Sequence, residues 1–429
     1  MLSRSQSQFE NVTLPLSPKD IVDEVTRSYA PWITSCVNPG ARDRDRYAKP
    51  IDHDLMGEAG MLGLLGFTLP KELGGEARSW RDWGFVLHEI GYHSDDTALP
   101  MLLAYCSTVT KMLYDTGRPD IIDRYVRMMV GGHVIGGFAW SEGNDPFSFQ
   151  TTLRKTAAGY ELDGVKSPIA NGQIADVVMV FARSLETNDV VTVLVERTDR
   201  GVEVQPVTAS GLRAAGMASW RFHRVELPAS RLIVEADGLS WGQRFLNERR
   251  LEMPCWALGR MRRLFEACID DLSTRIRFGR PASEMQAIQL AVGRMVISIE
   301  TSRAVVRVAL DRVGAGGGDF LWEPQLAVAK CHVIEQALQM VRTVQDITGG
   351  YAVLESHPYE RLCRDLQCLN PIAGTLATLQ VDLGVLAIEE VAMSRYERTS
   401  ERGRSHKTNA DQALGELAAV RELPRRNRG

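Results

Sequence analysis

Apolar residues recur at three- and four-residue spacing in IVDEVTRSYAPWI, WRDWGFVLHEIGYH and IIDRYVRMMV, which predicts a mostly helical region from residue 18 to about 133. From His133 the texture changes to short alternating runs: VIGGFAW, TTLRKTAAGYELDGVK, ADVVMVFARS, VVTVLVERT and WRFHRVELPASRLIV. Period-two patterning broken by Gly and Asp-Gly predicts antiparallel strands in a compact β-module. Beyond Trp241 helical spacing returns in four segments, roughly 242–275, 284–313, 322–347 and 373–395, with GAGGG at 314–318 separating two of them. Such segments suit an antiparallel four-helix bundle. The tail from about 397 is polar and charge-rich, a solvated extension with room for one short helix. The expected fold is α+β and mainly α, divided as 1–133 (helical), 134–240 (β-barrel), 241–396 (bundle) and 397–429 (extension).

Composition narrows the function. With 429 residues and a net charge of −4, the chain has no global basic field for nucleic acid or an anionic membrane; the basic end RRNRG is the only feature pointing to nucleic acid. Seven cysteines without CxxC or Cys/His ligand spacing give neither a disulfide framework nor a zinc site, and His88, His93 and His133 do not cluster with acids, so no metal is expected. No apolar stretch approaches the roughly 18 residues of a spanning helix, and MLSRSQSQFENVTLPLS has no apolar signal core. A reducing, cytoplasmic setting is expected.

Three stretches carry candidate chemistry. The first, LMGEAGMLGLLGFTLPKELGG, joins a helix to a Pro-Lys-Glu-Leu-Gly-Gly turn, and taken alone it is ordinary loop punctuation. The second, NERRLEMPCWALGRM running on to RIRFGRPASEMQAIQ, sets Arg250, Gly259, Arg275, Phe278, Gly279 and Gln286 at fixed offsets. The third, TGGYAVLESHPYERLCRDLQCLNPIAGT, places a Gly-Gly turn after an amphipathic run and Ala-Gly-Thr before the next helix. Together, over residues of about 20–395, these resemble the acyl-CoA dehydrogenase family, the second stretch most specifically.

The resemblance implies FAD bound between subunits of a homodimer or homotetramer, and an acyl-CoA or acyl carrier protein substrate. It assigns Arg275 to the flavin pyrophosphate of the neighbouring subunit, since a planar guanidinium donates two parallel hydrogen bonds, and Phe278 packs beside it. As a plain residue Arg275 is a cation complementing a helix C-terminus. Gly349 and Gly350 would admit the adenine-side phosphate or ribose, or simply cap a helix. Asp346 replaces a frequent glutamine three residues before that pair, and Thr375 keeps its family identity. In the β-module FAWSEGNDPFS aligns Ser141, Glu142 and Asp145 with a flavin-touching loop that is here about three residues short. Farther on, Pro168 stands where an aromatic usually shields the flavin and Ala170 where a hydroxyl usually bonds near N5. Asn171, Gly172 and Asp176 are explained by turn and strand chemistry. Arg250 and Asn247 are assigned to the substrate side.

The departure that matters most is the base. A flavin dehydrogenase removes an α-proton from the thioester as hydride leaves the β-carbon, which calls for a carboxylate of raised pKa. Relatives carry that glutamate at the position of Ala373, or at that of Arg249; neither holds a carboxylate here. Glu252, three residues after Arg249, is the candidate displaced base, and an exposed glutamate paired with Arg249 is its plainer reading. The expectation is a divergent FAD-dependent oxidoreductase acting on a CH–CH group of an acyl thioester in specialised metabolism. The alternatives are a flavin monooxygenase of the same fold and a non-catalytic or non-redox partner subunit of a heteromer.

Overall fold

The computed structural model of the chain describes residues 16–143, 148–316, 323–357 and 359–395. The extension from 397, Asp145 and the last two glycines of GAGGG lie outside them. Helices open the described chain: α1 (Lys19–Ser28), α2 (Ala30–Trp32), α3 (Ala41–Tyr47), α4 (His53–Met61), α5 (Trp80–His93), α6 (Ala98–Asp115), α7 (Pro119–Ile121) and α8 (Arg127–Val130). Local chemistry starts two of them. Asp52 accepts the Leu55 amide at 3.0 Å and Ser79 the Asp82 amide at 3.1 Å, satisfying amides that have no partner within the helix.

Eight strands follow: β1 (Gly136–Ala139), β2 (Thr152–Thr156), β3 (Gly159–Ile169), β4 (Val177–Ser184), β5 (Val190–Glu196), β6 (Val202–Pro206), β7 (Ala218–Leu227) and β8 (Leu232–Val234). They run β6-β7-β3-β2-β4-β5-β8 across the sheet, with β1 beside β4. Most neighbours are antiparallel as expected, but β1 and β2 both pair with β4 in parallel. Alternation dictates which side chains face the core, not which way a neighbour runs, so this mixed character was not in the pattern. One turn signal is also relocated. Asp163-Gly164 lies inside β3 at a register shift, with Gly164 at φ 145°, and β2 turns into β3 between Thr156 and Gly159. Leu162, Val180, Val193, Trp220 and Phe222 fill the core of this module.

Long helices return with α9 (Gly238–Thr274); the short β9 (Ile276–Arg277) and β10 (Arg280–Pro281) form a hairpin before α10 (Gln286–Gly316), α11 (Pro324–Thr348) and α12 (Glu360–Gln367). The first glycines of GAGGG therefore still belong to α10. Helix α9 packs against α5, α10 and α11. It meets α5 through two glycines: a Cβ on Gly259 would sit 2.1 Å from the His88 carbonyl, and one on Gly91 would sit 2.4 Å from that of Trp256. No side chain larger than hydrogen allows that approach. The chain divides into two units after Leu376. In the second, residues 377–395 are helical, with Val381, Ile388 and Met393 exposed.

Candidate active site

The ends of β1 and β3, the faces of α6 and α9 and the turns at 209–212 and 371–373 enclose a cavity of about 750 Å³. Helical spacing builds two walls. Phe245, Arg249, Met253 and Trp256 project along one face of α9, and Met101 and Tyr105 stand one turn apart on α6. Period-two alternation on β1 brings in Phe138, with Trp140 one residue past the strand end. Phe138 stacks on Phe245 with ring centroids 3.8 Å apart and planes 7° apart, while Tyr105 meets Phe245 edge-on at 5.3 Å. The Tyr105 hydroxyl is spent on β1, accepting the Phe138 amide at 2.6 Å and donating to the Phe138 carbonyl at 3.1 Å. Ser141, Pro168, Ala170 and Ala373 all line this space, so residues scattered over more than half the chain meet in one cavity.

No aspartate or glutamate is among the described lining residues, and Arg249 is the one charged side chain among them. Its Nη2 donates to the Ala104 carbonyl at 2.7 Å and to the Thr108 hydroxyl, and it ion-pairs with Glu252. Burial pushes the guanidinium down to about 10, against the attraction of neighbouring Glu248. Glu252 itself is fully buried and does not line the cavity; its Oε1 accepts the Trp83 indole N–H at 2.7 Å. The pairing with Arg249 is present but is not exposed: the Glu252 carboxylate is buried and is absent from the cavity wall, because its side of α9 is covered by α5. Helical spacing could not show that, since α9 is buried on every side from Asn247 to Arg262. The Glu248 carboxyl is pushed up to about 7 by burial against the opposing pull of Arg249, and it too is absent from the cavity wall.

Arg250 and Asn247, expected on the substrate side, do not line the cavity but hold its wall. Arg250 Nε donates to the Ala373 carbonyl at 3.1 Å and its Nη1 to Asn247 Oδ1 at 2.7 Å. Across the β-module a buried ion pair, Lys166 to Glu142 at 2.6 Å, holds the backbone next to Ser141; Glu142 also accepts the Thr151 amide at 3.1 Å, and Lys166 donates to the Trp140 carbonyl at 3.0 Å. Burial presses the Lys166 ammonium down to about 8, while Lys166 draws Glu142 below the ordinary carboxylate value against the opposing effect of burial. Asn171 and Asp176 serve the strands, donating to the Gly136 carbonyl at 2.8 Å and accepting the Ile135 amide at 2.7 Å respectively.

A second group of expected residues gathers away from the cavity. Arg275 follows the end of α9, pairs with Asp271 at 2.7 Å, donates to the Thr348 carbonyl at 3.2 Å and lies 5.2 Å from the Tyr351 ring centroid. Gly349 ends α11 at φ 70°, and nothing lies within 4 Å of a Cβ built on it or on Gly350. Phe278, at φ 51° on the hairpin, is 91% exposed, and Ile276, Tyr351 and Val353 are exposed as well. This is an open glycine turn beside a guanidinium and two exposed rings. Asp346, on α11 one turn before Gly349, lines a groove of about 460 Å³ with Arg294, Ser298 and Gln339 from α10 and α11. Thr375 immediately precedes helix 376–395, whose Leu376 amide is accepted by Asn370 Oδ1 at 3.2 Å.

Sequence profiles for the N-terminal, middle and C-terminal domains of acyl-CoA dehydrogenase match residues 23–133, 138–225 and 236–383 in that order. The chain belongs to the acyl-CoA dehydrogenase family. An acyl-CoA dehydrogenase of Bacillus subtilis (strain 168) is 27% identical over 329 residues, which is 75% of this chain and 86% of that one. A 3-(aryl)acrylate reductase of Clostridium sporogenes (strain ATCC 15579) is 24% identical over 360 residues, 80% of this chain and 92% of the relative. Among solved structures, butyryl-CoA dehydrogenase from Megasphaera elsdenii superposes with a TM-score of 0.80 at 22% identity, over 87% of this chain and 100% of that one. The prolyl acyl carrier protein oxidase AnaB does so with a TM-score of 0.79 at 20% identity, over 86% and 99%. Within this acyl-CoA dehydrogenase fold Gly259 acquires its reason, the close crossing of α5 and α9. Lys330 had no role legible in the sequence; it is a lone lysine in the apolar run AVAKCHVI and fully buried.

Proposed function

We propose that the chain is an FAD-dependent oxidoreductase of acyl thioesters, working in specialised metabolism, with a cavity that has lost the family's carboxylate base. The observation that carries this reading is the cavity wall itself: Ala373 lies in it, and among its described residues no carboxylate replaces the missing one. Bound FAD would supply an acceptor for a hydride leaving the substrate. The side chains fit the cofactor at two places. The cavity offers flat apolar walls and the strand end at Ser141 for the ring system. The open turn at Gly349 and Gly350, with Arg275 donating and Phe278 and Tyr351 exposed, suits a dinucleotide's phosphates and adenosine. These two places do not share residues, which supports a cofactor spanning two copies of the chain, the hairpin of one serving the cavity of the other.

Within the cavity this chain's own residues orient and exclude water more than they move protons. Phe138, Phe245 and Trp256 favour a compact, flat acyl group over a long flexible one. Arg249 is already neutralised by Glu252 and held by Ala104 and Thr108, so it stays a fixed cation rather than a base. The likeness to a prolyl carrier protein oxidase supports a carrier-bound substrate alongside acyl-CoA.

The test is to restore the base. In protein reconstituted with FAD, Ala373→Glu should introduce flavin bleaching by simple saturated acyl-CoA thioesters, by a factor on the order of a hundred or more over the parent. Ready bleaching of the parent by the same thioesters would refute the base-deficient reading.

A further inference from the structure

Lys330 on α11 is fully buried, and among the described residues no carboxylate pairs with it. Its Nζ donates instead to backbone: to the carbonyls of Ile372 and Gly374, and to that of Asn370 at 3.5 Å. Between Ile372 and Gly374, the Ala373 carbonyl is taken by Arg250 Nε at 3.1 Å. Two buried cations from two different helices therefore gather the carbonyls of one short turn. That turn needs holding: Ala373 sits at φ 57° and Gly374 at φ 94°. For a residue with a Cβ this left-handed region is disfavoured, and it persists only where the surroundings impose it. A lysine buried without an acid is itself costly, so the carbonyl cage and the ammonium stabilise each other.

We propose that Lys330 is a positioning residue of the cavity. Its ammonium and the Arg250 guanidinium clamp residues 370–374 through their carbonyls and so fix the wall at Ala373. Peptide geometry gives the clamp a direction: a carbonyl turned toward a cation turns the amide of the next residue the opposite way. The carbonyls of Ile372 and Ala373 face Lys330 and Arg250, so the amides of Ala373 and Gly374 are presented on the other face of the turn. Losing the ammonium frees these peptides to rotate and removes a fixed polar edge from the wall. The inference rests on the cavity being the reaction site.

The clamp is set to respond to pH. Burial first, and the Arg250 guanidinium second, press the Lys330 ammonium down to about 7; neighbouring Cys331 acts in the opposite sense, and from the described turn the ammonium meets carbonyls. Those carbonyls accept its protons and favour the charged form.

Hydrogen exchange followed by mass spectrometry on full-length protein tests the clamp with or without FAD. In Lys330→Ala, and in the volume-conserving Lys330→Met, exchange across 369–376 should rise while α10 is unchanged. FAD affinity should fall about tenfold or more. Methylammonium added to Lys330→Ala should re-enter the carbonyl cage and restore both, sodium at equal ionic strength should not, and Lys330→Arg should retain part of the protection. In the parent, exchange of 369–376 relative to α10 should rise as pH increases through the deprotonation of Lys330. Unchanged exchange in that segment, equal loosening of α9, α10 and α11, or equal effects of methylammonium and sodium would each overturn the assignment. Should a variant not fold, the parent's pH series decides alone. Failure of the parent to bind FAD would defeat the flavin reading, and the exchange result would still decide the role of Lys330.

Discussion

Glu248 offers a prediction whose size follows from the structure. Its carboxyl is 3% exposed, one oxygen has no hydrogen-bond partner among the described residues, and burial raises it from an ordinary 4.5 to about 7. A shift of that size corresponds to about 3 kcal/mol. The sign follows from proton binding. Between those two values the folded chain holds a proton that the unfolded chain has released, so stability falls as pH rises through this window and levels off above about 7. Neighbouring Arg249 opposes this rise by its attraction and stays charged throughout. Glu248→Gln keeps the shape and removes the ionisation. Variant and parent should therefore be equally stable near pH 4.5, and the variant should gain up to about 3 kcal/mol by pH 8. The assay is a series of urea unfolding midpoints for both proteins from pH 4.5 to 9, read as a difference so that shared oligomer and multidomain effects cancel. A difference that does not change with pH would refute the reasoning, because it would mean that Glu248 is solvated or paired in the fold.

Other outcomes follow from the same geometry. Glu252→Gln should destabilise by about 3 kcal/mol or more, since it leaves Arg249 buried without its counter-charge; a stable variant that has lost activity would instead place Glu252 in the chemistry. Arg275→Ala should weaken FAD binding about ten- to a hundredfold with helical circular dichroism unchanged, and equal flavin retention would remove Arg275 from the site. Gly259→Ala should fail to fold or lose several kcal/mol, because its Cβ would lie 2.1 Å from a backbone carbonyl that cannot retreat; a near-parent melting temperature would show that the α5–α9 crossing can loosen. Sedimentation at micromolar concentration should show at least a dimer, and a monomer carrying stoichiometric flavin would contradict a cofactor shared between chains.

Much of this architecture is legible in the sequence because the signals are local and periodic. The three-and-four spacing in WRDWGFVLHEIGYH and the alternation in VVTVLVERT report a helix and a strand directly, and the fixed offsets from Arg250 to Gln286 report a family. Signals that depend on a distant partner are not legible. Val202–Pro206 is a short, largely exposed strand ending in proline and left no pattern strong enough to predict β6. The parallel pairing of β1 and β2 with β4 depends on the path of the chain, which alternation does not encode. At the site, the meeting of Ser141, Ala170 and Ala373 was implied by resemblance, and the structure places them in one cavity. The roles of Arg250, Asn247 and Lys330 were not legible, because each acts on the backbone of residues 370–374 directly or through a neighbour, and a carbonyl acceptor leaves no mark in the sequence. The surroundings of Glu252 are hidden for a related reason: spacing places it close to the Arg249 face, where it pairs, but only the packing of α5 decides that it also meets Trp83 and is absent from the cavity wall.

The central claim, a flavin held in a cavity without a carboxylate base, is tested most directly by the visible absorbance spectrum of the purified full-length protein saturated with FAD and freed of excess. The expected result is one oxidised flavin per chain, retained through gel filtration in at least a dimer and not bleached by simple saturated acyl-CoA thioesters. A protein that emerges colourless after saturation, or a bound flavin that those thioesters bleach at once, would contradict it.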